Sequence, residues 1–212
     1  RPPAARPSPS VTVYGDGRII VLGRSPSGTE SGRSVLLEAR LTRDAYRDMY
    51  KEALVAGLGT SRSYRNTVMD GGSTRVEFLS DGRRHVTRFQ EADGFRTMLI
   101  ERLLDRLRAL PRLNGDELTG PAKQFHDDRI ALIVRRPESS NKELASPWPL
   151  RPLARGERSY CFTVSGNDAV TAQRLAAPPR SVNWRSGGHT YELTFRPLLP
   201  DENCGDVHQR FY

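Results

Sequence analysis

Apolar and polar positions alternate most clearly along Thr74-Arg75-Val76-Glu77-Phe78-Leu79, and again along Arg83-Arg84-His85-Val86, with Asp81-Gly82 between the two runs. Successive strand side chains point to opposite faces, and an Asp-Gly pair reverses the chain in two residues, so the pattern predicts a β-hairpin. An earlier pair of β-branched runs, Val11-Thr12-Val13 and Ile19-Ile20-Val21, flanks Gly15-Asp16-Gly17 and predicts another. The two hairpins are expected to share one sheet. A third strand is expected at 34–40. Helical spacing then takes over: Ala45, Tyr46, Met49, Tyr50, Ala53 and Leu54 recur on one face, with Thr42 placed to cap the start and Gly57 beyond the end. A second helix is expected over 95–110. Phe95, Met98, Leu99, Leu103 and Leu107 form its stripe, Asp93 its N-cap and Pro111 its stop. Arg102, Arg106 and Arg108 read as solvated positions pairing with Glu101 and Asp105.

The stretch 112–128 is polar, contains Gly115, Gly120 and Pro121, and marks the best domain boundary. Beyond it, Ile130-Ala131-Leu132-Ile133-Val134 is an apolar run between arginines, as a buried strand requires. Pro147-Trp148-Pro149-Leu150 holds an indole on a stiff segment, where it covers the edge of a core. Tyr160 to Val164 reads as a strand, and Ser165-Gly166-Asn167-Asp168 as a helix cap with an acidic residue three positions after its hydroxyl. The helix runs to Ala176 and ends at Pro178-Pro179. Trp184, Gly187-Gly188 and Tyr191 to Arg196 form a closing hairpin. Residues 1–10 contain four prolines and no apolar period, the composition of an extended tether, and residues 24–32 read as a loop.

Hydrophobic residues make up 36% of the 212 and charged residues 27%, which excludes a disordered chain. No apolar run approaches the roughly 20 residues that span a bilayer as a helix. The net charge of +8 rests on arginine, since Lys51, Lys123 and Lys142 are the only lysines. Scattered arginines are ordinarily solvated, but they also supply an electrostatic face for an acidic partner. Arg75, Arg83, Arg84 and Arg88 concentrate on or beside the second hairpin and are the candidate binding surface. Phe78 and Phe89 lie among them and are expected to face the helices. No ribonucleoprotein-type motif accompanies them, so nucleic acid is the weakest of the partners considered.

Chemistry is sparse. There is no Gly-x-Ser-x-Gly turn for a nucleophile, and Gly15-Asp16-Gly17 lacks the helix and the Gly-Lys-Ser/Thr of a phosphate loop. His85, His126, His189 and His208 are too dispersed for a paired metal site, and His126-Asp127-Asp128 is a weak candidate. Asp127-Asp128 and Asp201-Glu202 are weak candidates for the paired carboxyls of glycoside hydrolysis. No catalytic residue, metal or cofactor is assigned. Cys161 and Cys204 belong to no Cys-x-x-Cys pair. An even count behind a proline-rich start points to an exported, disulfide-bonded chain; two buried free thiols are the alternative. A start at Arg1 in place of Met is what removal of a leader would leave.

The run Val13-Tyr14-Gly15-Asp16-Gly17, the strand ending in Asp81-Gly82, the Pro147-Trp148-Pro149-Leu150 element, Cys161 before Ser165-Gly166-Asn167-Asp168-Ala169, and Arg196-Pro197-Leu198-Leu199-Pro200-Asp201-Glu202 before Cys204 together carry a resemblance. Across most of the chain after Ser10, it resembles the uncharacterised secreted and lipoprotein-like proteins of actinobacteria. The resemblance implies an exported protein with a disulfide between Cys161 and Cys204, and often a lipid-bearing cysteine before a flexible tether. That cysteine is not in this sequence, and no activity comes with the resemblance.

The expected architecture is therefore α+β. Residues 1–10 form a tether. Residues 11–112 form antiparallel hairpins with two amphipathic helices on one face, and 128–212 a smaller α+β portion closed by the disulfide. The expected role is that of a non-enzymatic extracytoplasmic binding or accessory protein, associated with the cell surface and contacting another protein or an anionic cell-envelope polymer, with a membrane tether through a processed N-terminus. A hydrolase-type enzyme with its site at the junction of the two portions is the alternative, and nucleic-acid binding a weaker one.

Overall fold

Positive φ at Gly17 turns Val11–Val13 (β1) back on Arg18–Arg24 (β2), with Val11 opposite Val21 and Val13 opposite Ile19. A Cβ at Gly17 would stand 3.2 Å from the Leu41 carbonyl oxygen, so space as well as conformation selects glycine. The computed structural model describes residues 9–24, 34–64, 74–89, 94–113, 116–137, 145–153, 159–176 and 183–209. The chain divides into two units, Pro9–Phe125 and His126–Tyr212. The loop over 25–32, the Asp93 cap and Pro178-Pro179 lie outside the described residues, as does most of the tether. Its last residue, Ser10, is held: its carbonyl accepts from the Leu22 N–H and its hydroxyl from Arg108.

In the first unit β2 pairs with Ser34–Arg40 (β3), and Arg43–Val55 forms α1. The Thr42 hydroxyl accepts the Ala45 N–H at 3.3 Å, and Gly57 (φ +85) follows the last turn. Both end signals act where the spacing puts them. Thr42→Ala leaves an amide of the first turn without its acceptor, and a loss of about 1 kcal/mol is expected in the unfolding free energy, read as a lower urea midpoint at unchanged slope. Arg62–Ser63 (β4), Thr74–Ser80 (β5) and Arg83–Phe89 (β6) follow, then α2 over Phe95–Leu113 and Lys123–Gln124 (β7).

The two hairpins do not share a sheet. The first belongs to a four-stranded sheet in the order β1-β2-β3-β7, the second to a three-stranded one in the order β4-β6-β5. Hairpin geometry is set by the turn, whereas the strand that lies beyond each hairpin is a long-range choice. Here β3 and β7 flank the first hairpin, and β4 runs parallel to the second. One core joins the sheets to the helices: Ile19, Val21, Leu37 and Ala39 meet Met49 and Ala53 of α1, Ile100, Leu103, Leu104 and Leu107 of α2, and Phe89 of β6.

Helix α2 departs from its expected phase and length. Its buried stripe is Thr97, Ile100, Leu103, Leu104, Leu107 and Leu110, while Phe95 is 72% and Met98 54% exposed. Both stripes have helical spacing and share Leu103 and Leu107, and the one that meets the core adds Ile100, Leu104 and Leu110. Leu54 at the end of α1 is likewise exposed. The helix passes through Pro111 to Leu113. Proline's fixed φ suits a helix, and this close to a helix end its missing N–H costs only a single backbone bond. Arg108 pairs with Asp105 as expected, but Arg106 reaches Glu52 of α1 at 2.6 Å and also Glu117. The bond to Glu117 holds Arg106 above the usual guanidinium range, against partial desolvation and with Glu52 adding to the effect.

The polar stretch 112–128 does more than connect. Leu118 bridges to Leu41, the Thr119 N–H bonds the Arg40 carbonyl, β7 pairs with Leu37 and Glu38, and the Phe125 N–H bonds the Leu36 carbonyl. Residues 118–125 thus serve as an interrupted edge strand along β3.

The second unit comprises Arg129–Arg135 (β8), Ser146–Pro147 (β9), Ser159–Ser165 (β10), Gly166–Leu175 (α3), Asn183–Ser186 (β11), His189–Pro197 (β12) and Cys204–Gln209 (α4). The sheet order is β10-β8-β12-β11-β9, with β8 antiparallel to both neighbours. Central β8 is buried on both faces, which explains its unbroken apolar run. Ile130, Leu132 and Val134 meet α3, Trp148, Trp184 and Tyr191; Ala131 and Ile133 meet Leu198, Val207 and the two cysteines. Trp148 closes the first of these cores, edge-on to Trp184, its indole N–H donating to the Arg151 carbonyl. Ser165 occupies the N-cap position, but its hydroxyl makes no capping bond. Gly166 immediately after it has φ +58, so the chain enters α3 by a left-handed step that a capping box lacks.

Candidate functional site

The turn decides where the candidate arginines point. Asp81 (φ +51) and Gly82 (φ +69) both take the left-handed conformation of a two-residue hairpin turn, closing on the pair Ser80 and Arg83. From there the pleat assigns the faces. Thr74, Val76, Phe78 and Ser80 share one side with Arg83, His85, Thr87 and Phe89, and Arg75, Glu77 and Leu79 share the other with Arg84, Val86 and Arg88.

Three of the four candidate arginines therefore lie together on the outer face. The fourth, Arg83, is on the side of Phe78 and Phe89, at the turn end. The two phenylalanines belong to the core, as expected, with Phe89 fully buried and Phe78 against Tyr50 of α1. On the outer face Arg75 stands directly across from Arg88, and Arg84 across from Leu79. Glu77 mediates between them, 2.5 Å from Arg75 and 3.4 Å from Arg84. Arg88 forms no ion pair among the described residues. The face holds three guanidinium groups to one carboxylate, with Leu79 exposed beside them. Parity from the Asp81-Gly82 turn would have separated Arg83 and added Leu79 and Glu77; grouping by proximity in sequence missed it.

The other sequence candidates are drawn into the scaffold. Asp127 accepts the Arg129 backbone N–H at 2.9 Å and its guanidinium at 3.3 Å. The same guanidinium donates to the carbonyls of Leu199, Pro200 and Glu202. Glu202 is 6% exposed and binds Arg196, itself 5% exposed, at 2.7 and 3.0 Å, while also accepting the Leu199 N–H. These two carboxylates brace the turn at 198–203 and are committed to arginines, so neither is placed for acid–base work on a sugar. That turn carries Cys204 to Cys161, and the two form a disulfide with Cα atoms 5.7 Å apart.

Among the described residues no three His, Cys, Asp or Glu side chains converge as metal ligands. A shallow depression of about 320 Å³ at the start of α2 is lined by Tyr64, Gly94, Phe95, Arg96 and Thr97, a set without carboxylate or imidazole. No described helix is long and apolar enough to cross a membrane. No family model, no curated protein and no solved structure matches this chain.

Proposed function

We propose that the protein is a non-enzymatic extracytoplasmic binding or accessory protein, and that Arg75, Arg84 and Arg88 on the outer face of the β5–β6 hairpin are its contact surface for an acidic target, either another protein or an anionic envelope polymer. The observation that carries this reading is the three-to-one excess of guanidinium over carboxylate on one pleated face. Guanidinium forks match carboxylate and phosphate groups in bidentate fashion, which suits them to such targets. The disulfide supports the location, because such bonds persist in oxidising compartments. The sequence's resemblance to secreted, lipoprotein-like proteins of actinobacteria points the same way.

The test is binding to polyglutamate and to a glycerol-phosphate polymer across a range of salt. The triple variant Arg75→Gln, Arg84→Gln, Arg88→Gln is expected to lose at least tenfold in affinity at low salt and to flatten the salt dependence. Arg83→Gln, on the opposite side, is expected to bind as the parent does. Equal binding by parent and triple variant at every salt concentration would remove the surface from consideration.

A further inference from the structure

We infer that Asp81-Gly82, at the tip of the β5–β6 hairpin, is a site of spontaneous backbone isomerisation, at which aspartate becomes isoaspartate and the turn loosens. Asp-Gly-Arg occurs twice in the sequence, at 16–18 and at 81–83, and reverses a hairpin each time. The two copies share their intrinsic chemistry. The fold holds them differently.

In the reaction the backbone nitrogen of the glycine attacks the side-chain carboxyl carbon of the aspartate before it. A C–N bond forms, a C–O bond breaks, and the amide proton leaves with the carboxyl hydroxyl as water, giving a cyclic imide. Water then reopens the ring. Addition at the main-chain carbonyl breaks its bond to the glycine nitrogen, so the backbone now runs through the former side chain, one atom longer and unchanged in composition. Attack requires the peptide to rotate until its nitrogen faces the carboxyl carbon. The rate therefore follows how readily the turn opens.

Asp16-Gly17 is held at both residues. The Asp16 carboxylate accepts the Arg18 N–H at 3.0 Å and meets the Arg40 guanidinium at 3.3 Å. The Gly17 N–H, which carries the attacking nitrogen, donates to the Tyr14 carbonyl at 2.9 Å, and the Gly17 carbonyl accepts the Leu41 N–H at 2.8 Å. Rotation there breaks bonds around a buried glycine. Asp81-Gly82 is open by comparison: both residues are exposed, and nothing lies within 4 Å of where a Gly82 Cβ would stand. Among the described residues neither the Asp81 carboxylate nor the Gly82 N–H has a hydrogen bond or ion pair. Asp81 is also the one described non-glycine residue with positive φ, a conformation that costs a residue with a Cβ and eases opening of the turn. A two-residue turn sets the register by its length, so an added backbone atom separates the closing pair Ser80 and Arg83.

The experiment keeps the whole chain in warm neutral buffer for several weeks, either folded or unfolded in guanidinium chloride, and then digests it with trypsin. Trypsin cuts after arginine but not before proline, so the two sites fall on separate peptides, residues 1–18 and 76–83. Electron-transfer fragmentation tells isoaspartate from aspartate in each. In the folded chain isoaspartate is expected to form at least tenfold faster at position 81 than at position 16, and in guanidinium chloride the two rates should agree within about twofold. The isoaspartate-81 fraction, separated by chromatography, should exchange its Arg83 amide proton at least tenfold faster than the fresh chain. Equal rates at the two positions in the folded chain, or no isoaspartate at 81, overturn the inference. So does a difference that survives in guanidinium chloride, since neighbouring residues and not the fold would then set it. Unchanged exchange at Arg83 in the isoaspartate-81 fraction overturns the loosening of the turn.

Discussion

Glu202→Ala is expected to destabilise the second unit by about 3–5 kcal/mol, because it leaves the buried Arg196 guanidinium without its counter-charge. The same substitution strips the Leu199 N–H of its acceptor and loosens the turn that leads to Cys204. The Arg196 Nε is already buried without a hydrogen-bond partner, so no spare acceptor stands ready. Urea unfolding should show the loss with little dependence on salt, since a pair this enclosed is poorly screened. The double variant Arg196→Met, Glu202→Leu should recover most of it, because exchanging both charges for apolar groups of similar volume removes the desolvation cost as well as the attraction. A single variant that costs under about 1 kcal/mol would mean that water reaches the pair.

Replacing both cysteines, Cys161→Ala with Cys204→Ala, is expected to cost about 4 kcal/mol. The bridge spans 43 positions, and closing a loop of that length removes roughly this much entropy from the unfolded chain. The folded state should change little in the region of α4. Arg129 still grips three carbonyls of the preceding turn, and Arg196 still binds Glu202. The urea midpoint should fall while the far-ultraviolet circular dichroism of the folded chain stays that of the parent. A helix signal lost in the absence of denaturant would show that sulfur, and not the arginine braces, holds α4 in place. In the parent, denatured and unreduced, a thiol titration should find no free sulfhydryl.

Features decided by near neighbours were legible before any fold was known. Thr42 caps its helix, Gly57 ends it, and Asp81-Gly82 turns its hairpin because each requirement is met within a few residues. The grouping of the hairpin arginines was legible only in part: Arg75, Arg84 and Arg88 share one pleated face, but Arg83 was grouped with them by proximity although the pleat sends it to the other side. What could not be read depends on distant chain. Two apolar stripes compete on α2, and packing on β1, β2 and β3 chose the one through Ile100 and Leu104. Arg106 found Glu52, 54 positions away, where the sequence offered Glu101 and Asp105 nearby. The brace at Glu202 was hidden for the same reason: Arg129 and Glu202 are 73 positions apart.

The place of β8 in its sheet bears on how the second unit comes to be folded. This strand is made before both of its neighbours, β10 and β12, and its five apolar residues stay unpaired until those later segments have emerged. Assembly through such distant pairings is slow, so a newborn chain passes through an interval in which an aggregation-prone stretch is bare. Export in an unfolded form would lengthen that interval, and a holdase that shields residues 130–134 would have its clearest task there.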